Sequence, residues 1–155
     1  MLNEIEVKII DPRIGKDEKY PLPTAATEGS AGIDLRVIIE EDTVLKAGES
    51  RLFGTGMAFY VANPDYVAMV YPRSGLGAKS GIVLGNLTGV IDADYQGELF
   101  ISLWNRTDKD FTIKVGERVA QYVVTPVVRP KLNFVDDFTD VTERGAGGFG
   151  HSGRQ

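Results

Sequence analysis

The sequence predicts an all-β protein, a sandwich or barrel of short strands with one short helix. Short apolar segments rich in valine, isoleucine, phenylalanine and tyrosine recur along the chain, and turn-forming residues separate them. No window keeps a helical period for long. The 18 glycines among 155 residues exceed the average share of about 7%. A protein with many tight turns is expected to have this composition.

Eleven segments of strand length are predicted: 5–10, 33–39, 43–45, 51–53, 57–61, 66–71, 81–84, 89–91, 99–104, 111–113 and 119–128. The breaks between them fall at Gly29, Gly48, 63–65, Gly75, 85–86 and Gly116. Residues 75–80 predict a helix of about two turns.

We predict one domain, because no repeat, low-complexity linker or boundary interrupts the pattern. This β domain spans residues 1–137. Residues 138–155 turn polar and then glycine-rich, and they have too little apolar surface to fold by themselves. We interpret them as a C-terminal arm that carries a flexible, glycine-rich lid.

Composition excludes several classes of function. The net charge is −5, and lysine and arginine form no run, which argues against nucleic acid or an anionic membrane as the partner. The chain has no cysteine and a single histidine, His151, which excludes thiolate and multi-histidine metal sites. Acidic residues near Met1, with no long apolar run after them, predict a cytoplasmic protein without a secretory signal. A small anionic ligand remains compatible with a few placed arginines, backbone N–H groups and a divalent cation.

Two segments carry candidate polar chemistry. Asp92 and Tyr95 lie at a polar turn between the apolar segments 89–91 and 99–104, which predicts a β-hairpin with chemistry at its tip. An aspartate in such a turn more often caps its own backbone. Arg73 and Ser74 stand where a strand gives way to a glycine turn, so that a guanidinium, a hydroxyl and N–H groups converge. An ordinary surface turn is an equally good interpretation of that segment alone.

The glycine-rich tail has a different candidate role. Residues 145–150 formally fit the dinucleotide fingerprint G-x-G-x-x-G, but no βαβ unit surrounds them. Arg144 and Phe149 instead suggest a lid. Arginine suits phosphate oxygens, glycines let backbone amides wrap an anion, and a phenylalanine ring stacks on a planar group.

Taken together, these segments resemble the deoxyuridine triphosphatases (dUTPases), and the resemblance spans nearly the whole chain. All five family motifs occur in order, at residues 31–36, 72–77, 85–97, 116–121 and 144–150. Each motif is weak alone, but five in sequence are highly specific. The resemblance implies a jelly-roll β subunit, a homotrimer, and three active sites at subunit junctions that draw on all three chains.

The implied reaction is the hydrolysis of dUTP to dUMP and pyrophosphate with Mg²⁺. It would keep uracil out of DNA and supply dUMP for thymidylate synthesis. By this resemblance, Asp92 is the general base that deprotonates the water attacking the α-phosphorus. Asp34 accepts a hydrogen bond from a magnesium-bound water rather than binding the metal directly. The triphosphate itself holds most of the Mg²⁺ coordination.

The resemblance also implies how dUTP is held. Asn86 and the backbone at Val90 and Ile91 would read the uracil edge, while Tyr95 would lie under the deoxyribose and exclude a 2′-hydroxyl. By the same resemblance, the phosphates or the attacking water are contacted by Arg73, Ser74, Gly75 and Gln121. In the lid, Arg144 would contact the terminal phosphate and Phe149 would cover the uracil, with Gly150 beside it. Phe100, which stands where relatives often have methionine or lysine, would contact the base through its backbone.

Two alternatives remain open. A dCTP deaminase shares the implied fold and part of the central motif, although the 144–150 lid and the Ala93-Asp94 pair argue against it. A nucleotide-binding module that has lost catalysis is the other alternative. The presence of Asp92, Tyr95 and Arg144 argues against that interpretation. Products formed from dUTP, dCTP, dTTP and UTP would distinguish all three.

Overall fold

A computed structural model describes residues 2–148 of the chain. The predicted roles of Phe149 and Gly150 therefore lie outside the described residues. Within them the chain forms ten strands and one helix: β1 (Glu6–Ile9), β2 (Ile33–Arg36), β3 (Thr43–Leu45), β4 (Ser50–Tyr60), β5 (Tyr66–Pro72), α1 (Ser74–Ser80), β6 (Ile82–Leu84), β7 (Gly89–Ile91), β8 (Glu98–Asn105), β9 (Phe111–Ile113) and β10 (Arg118–Pro126). No helix among them is both long and apolar enough to cross a membrane.

The strands form two four-stranded antiparallel sheets and one small two-stranded sheet. The first sheet has the order β1-β4-β8-β6 and the second has the order β2-β10-β5-β7, while β3 pairs with β9. Consecutive strands often belong to different sheets, as in a jelly-roll-like fold. The all-β prediction is confirmed, and so is the prediction of one short helix after Arg73.

The core lies between the two large sheets, and alternating buried residues along strands such as β8 contribute to it. In β8, Leu99, Ile101 and Leu103 are buried, whereas the residues between them face outward. The rings of Phe59 and Tyr122 stack across the two sheets with centroids 4.6 Å apart. Each such buried side chain contributes about 1.5–3 kcal/mol relative to exposure. This core fixes the strand ends from which the candidate site residues extend.

Strand β4 corrects one expectation. The segments 51–53 and 57–61 were expected as two strands, but they form one, with a register irregularity between Gly54 and Ala58. Gly56 lies there at φ 68°, a conformation that favours glycine. Its N–H donates to Oε1 of Glu98 at 2.9 Å. A β-bulge therefore interrupts the alternation that the sequence shows, while the strand continues.

The predicted hairpin around Asp92 is wrong. Strand β7 pairs with β5, whereas β8 pairs with β4 and β6 in the other sheet. Residues 92–97 therefore cross from one sheet to the other. Two apolar segments on either side of a polar turn predict two strands, but they do not determine whether those strands pair with each other.

Residues beyond β10 leave the compact body of the chain. Val128, Phe134, Phe138 and Val141 are 86%, 90%, 87% and 100% exposed. Exposed apolar residues at this density mark a segment that packs against something else. The division of the chain after residue 137 stays a prediction.

Candidate functional site

A single carboxylate bridges two arginines at one end of the second sheet. Oδ1 of Asp34 lies 2.8 Å from Nε of Arg73, and Oδ2 lies 2.8 Å from Nη1 of Arg118. Nη1 of Arg73 also donates to the backbone carbonyl of Arg118 at 3.2 Å. Charge-assisted bonds of this kind hold planar groups in fixed orientation.

A bulge in β10 brings these side chains onto one face. Gln121 lies opposite Asp34 and Arg118 lies opposite Arg36, with a register shift between Arg118 and Ala120. In a regular strand, residues 118 and 121 would point to opposite faces, because their spacing is odd. The extra residue at the bulge reverses the direction of one of them. The side chains of the two opposed pairs therefore lie on the same face of the sheet: Asp34, Arg36, Arg118 and Gln121.

Arg36 completes a group with excess positive charge, which we call the arginine cluster: Asp34, Arg36, Arg73 and Arg118. Nε of Arg36 donates to the carbonyl of Gly116 at 2.9 Å. Burial lowers the pKa of Arg36, and the nearby positive charge of Arg118 lowers this pKa further. Three guanidinium groups against one carboxylate leave a local charge that favours an anion.

Gln121 and the start of α1 lie beside the arginine cluster. Nε2 of Gln121 donates to the carbonyl of Pro72 at 3.0 Å, and a Cβ on Gly32 would come within 2.7 Å of Oε1 of this amide. Glycine at position 32 therefore leaves the space that the Gln121 side chain occupies. Helix α1 begins at Ser74, where the N–H groups of a first turn have no partner within the helix. Gly75 adjoins open space on the side where a Cβ would stand.

The described residues offer no direct site for a metal ion. Within residues 2–148, no three carboxylates, histidines or cysteines lie close enough together to hold one. Both oxygens of Asp34 already accept from arginines. An ionised carboxylate has about four lone-pair positions, so Asp34 retains capacity for a bound water. This geometry fits a metal that arrives on a phosphate ligand.

Residues 92–97, which we call the Asp92 segment, differ in character. The Asp92 side chain is exposed, and no donor within residues 2–148 hydrogen-bonds its carboxylate. Tyr95 is 43% exposed, and its hydroxyl donates to the carbonyl of Glu98 at 2.9 Å. A Cβ on Gly97 would lie 2.5 Å from the Tyr95 hydroxyl oxygen and 2.7 Å from Cζ. The hydroxyl end of the Tyr95 ring therefore packs closely against Gly97, while much of the side chain stays exposed.

The residues predicted to read a base lie on or beside β7. Val90 is 64% exposed and Ile91 is partly buried. Asn86 is exposed in the turn before β7, where Leu87 adopts φ 64° and the N–H of Thr88 donates to the Asn86 carbonyl at 2.7 Å. Asn86 and Asp92 thus stand at the two ends of one short strand.

Within one chain, the Asp92 segment and the arginine cluster do not meet. Ile91 lies opposite Ala68, near the start of β5, whereas Arg73 follows the end of β5. A strand advances about 3.3 Å per residue, so Arg73 lies roughly 17 Å from the level of Ile91. Asp92 continues away from Arg73, because β5 and β7 are antiparallel. The sequence predicts both halves of the site, and one chain keeps them apart.

Two other predicted residues stand apart from both halves. Phe100 lies on β8 in the first sheet, opposite Gly54, and is 49% exposed. Arg144 lies in the exposed arm, where its Nε donates to the carbonyl of Gly147 at 2.9 Å. Neither residue joins a cluster of other candidate residues in the described chain.

Sequence reasoning missed two members of the arginine cluster. Arg36 and Arg118 both stand inside recognised motifs, at 31–36 and 116–121, but only Asp34 and Gln121 were selected from those motifs. Their charge was the available signal. Nothing in the linear pattern indicates that the two arginines converge, because the β10 bulge decides it.

A family model for dUTPase matches residues 18–153 of this chain. The chain belongs to the dUTPase family. The match includes the arginine cluster, the Asp92 segment and the residues of the arm, so every predicted site residue falls within the family domain.

Named relatives are similar over the full length. Deoxyuridine 5'-triphosphate nucleotidohydrolase of Psychrobacter sp. (strain PRwf-1) is 60% identical over 154 residues, covering 99% of this chain and all of the relative. The protein of the same name from Escherichia coli (strain UTI89 / UPEC) is 57% identical over 155 residues, covering both chains completely. A dUTPase from Staphylococcus bacteriophage 80alpha, solved with dUpNHpp, has a TM-score of 0.83 at 29% identity. That comparison covers 97% of this chain and 99% of the phage chain.

Proposed function

We propose that this chain hydrolyses dUTP to dUMP and pyrophosphate, at sites shared between the subunits of a homotrimer. Membership of the dUTPase family over residues 18–153 carries the reaction class. The observation that carries the shared site is the separation of Asp92 from Arg73 along β5. The proposal brings these two halves together from different chains.

The arginine cluster is the phosphate-binding half. Arg73 has five N–H donors, of which Asp34 and the Arg118 carbonyl take one each. The others remain for phosphate oxygens, two of which the planar guanidinium fork can bind at once. Ser74 and Gly75 add a hydroxyl and backbone N–H groups, and Gln121 assists the phosphates or the attacking water.

Asp92 is the general base. Its exposed carboxylate is free to accept a proton from a water molecule as the water oxygen bonds to the α-phosphorus. The bond between the α-phosphorus and the oxygen that bridges to the β-phosphate then breaks, and pyrophosphate leaves with that electron pair. A base must lie within hydrogen-bond reach of this water, and phosphate-binding arginines must contact the same triphosphate. One chain with these groups roughly 17 Å apart along its strands does not meet both requirements.

Base and sugar are read by the other elements around β7. Asn86 and the backbone of Val90 and Ile91 pair with the uracil edge, and the Tyr95 ring lies under the deoxyribose. A site that is built on directed hydrogen bonds discriminates strongly against analogues that leave them unmade. Arg144 contacts the terminal phosphate, and the lid residues Phe149 and Gly150 cover the base. Phe100 contributes through its backbone.

Exposed apolar surface supports assembly. Leu52 and Phe100 on the first sheet are 63% and 49% exposed, and the arm beyond β10 exposes Phe134 and Phe138 almost fully. A second and third copy of the chain would cover this surface in a closed ring. In that ring Asp92 of one subunit faces Arg73 of a neighbour, and the third subunit supplies the lid.

The surroundings of Asp34 fit a magnesium ion that is bound together with the nucleotide. Asp34 would hold a magnesium-bound water through a remaining lone pair, and triphosphate oxygens would be the direct ligands, as is usual for Mg²⁺ in phosphate sites. When bound, the ion neutralises negative charge on the phosphates and makes diphosphate a better leaving group. A cytoplasmic location stays the expectation from the sequence.

The function is tested by incubating purified protein and Mg²⁺ with dUTP, dCTP, dTTP or UTP, and by separating the nucleotide products. We expect dUMP and pyrophosphate from dUTP, at a rate at least about 10³-fold above that with the other three nucleotides, because unmade hydrogen bonds reject the analogues. Release of ammonia from dCTP would support the deaminase alternative. Nucleotide binding without any product would support the inactive module.

A further inference from the structure

The guanidinium of Arg118 touches Asp34 from the side opposite Arg73. The two arginines use different oxygens of the carboxylate, each at 2.8 Å. Arg118 is 46% exposed at its side chain and Arg73 is 30% exposed, so both border solvent where a ligand would enter. The bulge in β10 aims Arg118 at this carboxylate.

We propose that Arg118 is a positioning residue for the phosphate site. It holds Asp34 so that this carboxylate binds Arg73 through Nε alone. This inference rests on the proposed function. An arginine and a carboxylate that are left alone favour a bidentate pair, in which two parallel N–H groups face the two carboxylate oxygens. By occupying Oδ2 of Asp34, Arg118 prevents that pair. One N–H of Nη1 of Arg73 donates to the Arg118 carbonyl, and within residues 2–148 the second N–H of Nη1 and both N–H groups of Nη2 stay free for phosphate.

The backbone of Arg118 strengthens the same arrangement. Its carbonyl accepts from Nη1 of Arg73 at 3.2 Å, so one residue restrains both Asp34 and Arg73. A substitution at position 118 keeps the carbonyl but removes the guanidinium. It therefore isolates the effect of the side chain on Asp34. Lysine at this position would keep one charge but not the planar fork.

The test is a double-mutant cycle with Arg118→Gln, Arg73→Gln and the combined variant, in the full-length protein. We expect Arg118→Gln to raise KM for dUTP about tenfold and to weaken dUpNHpp binding by a similar factor, the usual scale for one lost charged contact. Binding of deoxyuridine, which has no phosphate, should stay unchanged. The combined variant should bind dUpNHpp no more weakly than Arg73→Gln, because Arg118 acts through Arg73.

Losses that multiply in the combined variant would overturn the proposal, since Arg118 would then contact the phosphates itself. Unchanged KM and dUpNHpp binding in Arg118→Gln would also overturn it. Arg118→Lys should give intermediate values and serves as the second variant if glutamine prevents folding. Arg13→Gln is the matched control, because it breaks another arginine–carboxylate pair, with Asp11 at 2.8 Å. It should change thermal stability alone. A wild-type protein that binds dUpNHpp without hydrolysing dUTP would contradict the proposed function and leave the binding cycle interpretable.

Discussion

The arginine cluster and the Asp92 segment are both polar regions that solvent reaches, but their side chains differ in how many contacts hold them. Asp34, Arg73 and Arg118 hold one another through bonds of 2.8 Å, and neighbouring strands set their positions. Asp92 has an exposed carboxylate that no donor in residues 2–148 engages, although the segment around it is fixed by Tyr95 and Glu98. The first region is organised within one subunit. The second leaves the Asp92 carboxylate exposed, which the proposed function assigns to a site that another subunit completes.

This difference shows how charge is tolerated in each region. A carboxylate that lies among three arginines has its negative charge balanced by its neighbours, so it can be partly buried. A carboxylate intended to take a proton from water must keep its lone pairs free. A preorganised binding half and an unengaged catalytic half are therefore the expected division between subunits of a shared site.

The largest effect on turnover is expected from a substitution in the Asp92 segment. Asp92→Asn should lower dUTP turnover by roughly 10² or more, because the amide no longer accepts the proton of the attacking water. The fold and dUpNHpp affinity should be preserved, since the Asp92 side chain is exposed and its carboxylate accepts no hydrogen bond within residues 2–148. Steady-state rates with thermal unfolding as a control measure this. Turnover near the wild-type rate would assign the base to another residue.

Mixed trimers sharpen the comparison. Asp92→Asn and Arg73→Gln should each be nearly inactive, but co-refolded in equal amounts they should recover about a quarter of wild-type sites, because each contributing chain has an even chance of being intact. Co-purification through two different affinity tags establishes mixing. No recovery in proven mixed trimers would mean that Asp92 and Arg73 act from the same chain.

A smaller effect is expected where Tyr95 packs on Gly97. Gly97→Ala places a Cβ 2.5 Å from the Tyr95 hydroxyl oxygen, so the ring must move from its position. We expect the preference for dUTP over UTP to fall about tenfold, because misplacing the ring loses part of its discrimination against a 2′-hydroxyl. The ratio of kcat/KM for the two nucleotides measures this. Gly29→Ala, at a glycine where an added Cβ would meet no atom within 4 Å and which has no role in the proposed site, is the steric control. An unchanged ratio in Gly97→Ala would remove Tyr95 from sugar selection.

The smallest effect concerns the core, away from both regions. The Tyr122 hydroxyl is buried, and it has no hydrogen-bond partner within residues 2–148. Removing an unpaired buried hydroxyl in Tyr122→Phe should leave stability at pH 7 unchanged or raise it by about 1 kcal/mol. Kinetics with dUTP should not change.

The same variant tests alkaline stability. Burial raises the pKa of Tyr122 to about 12, above the usual value for tyrosine. The folded state then keeps its proton where the unfolded state loses it, so wild-type stability should fall by about 2–3 kcal/mol between pH 10 and 12. Urea unfolding across this range should show a smaller decline in Tyr122→Phe. Equal declines would mean that the hydroxyl is solvated in the folded protein.

The sequence predicted most strands because burial on one face leaves a period of two, as at Leu99, Ile101 and Leu103. It failed where backbone irregularity breaks that period. Because the bulge at Gly56 interrupts the alternation, the sequence predicts two strands where the structure has one, β4. The prediction also paired the strands on either side of Asp92 with each other, which is wrong, because apolar segments identify strands but not their partners.

The sequence by itself determined the all-β class, the short helix and the family, since these depend on local pattern and on motifs in fixed order, and it predicted the candidate site residues. Only the tertiary structure decided which of those residues share a face or an end of a sheet. Arg118 joins Asp34 through a one-residue bulge, and Asp92 is kept from Arg73 by the antiparallel register of β5 and β7. Register and bulges depend on long-range backbone pairing, so a pattern along the chain does not contain them.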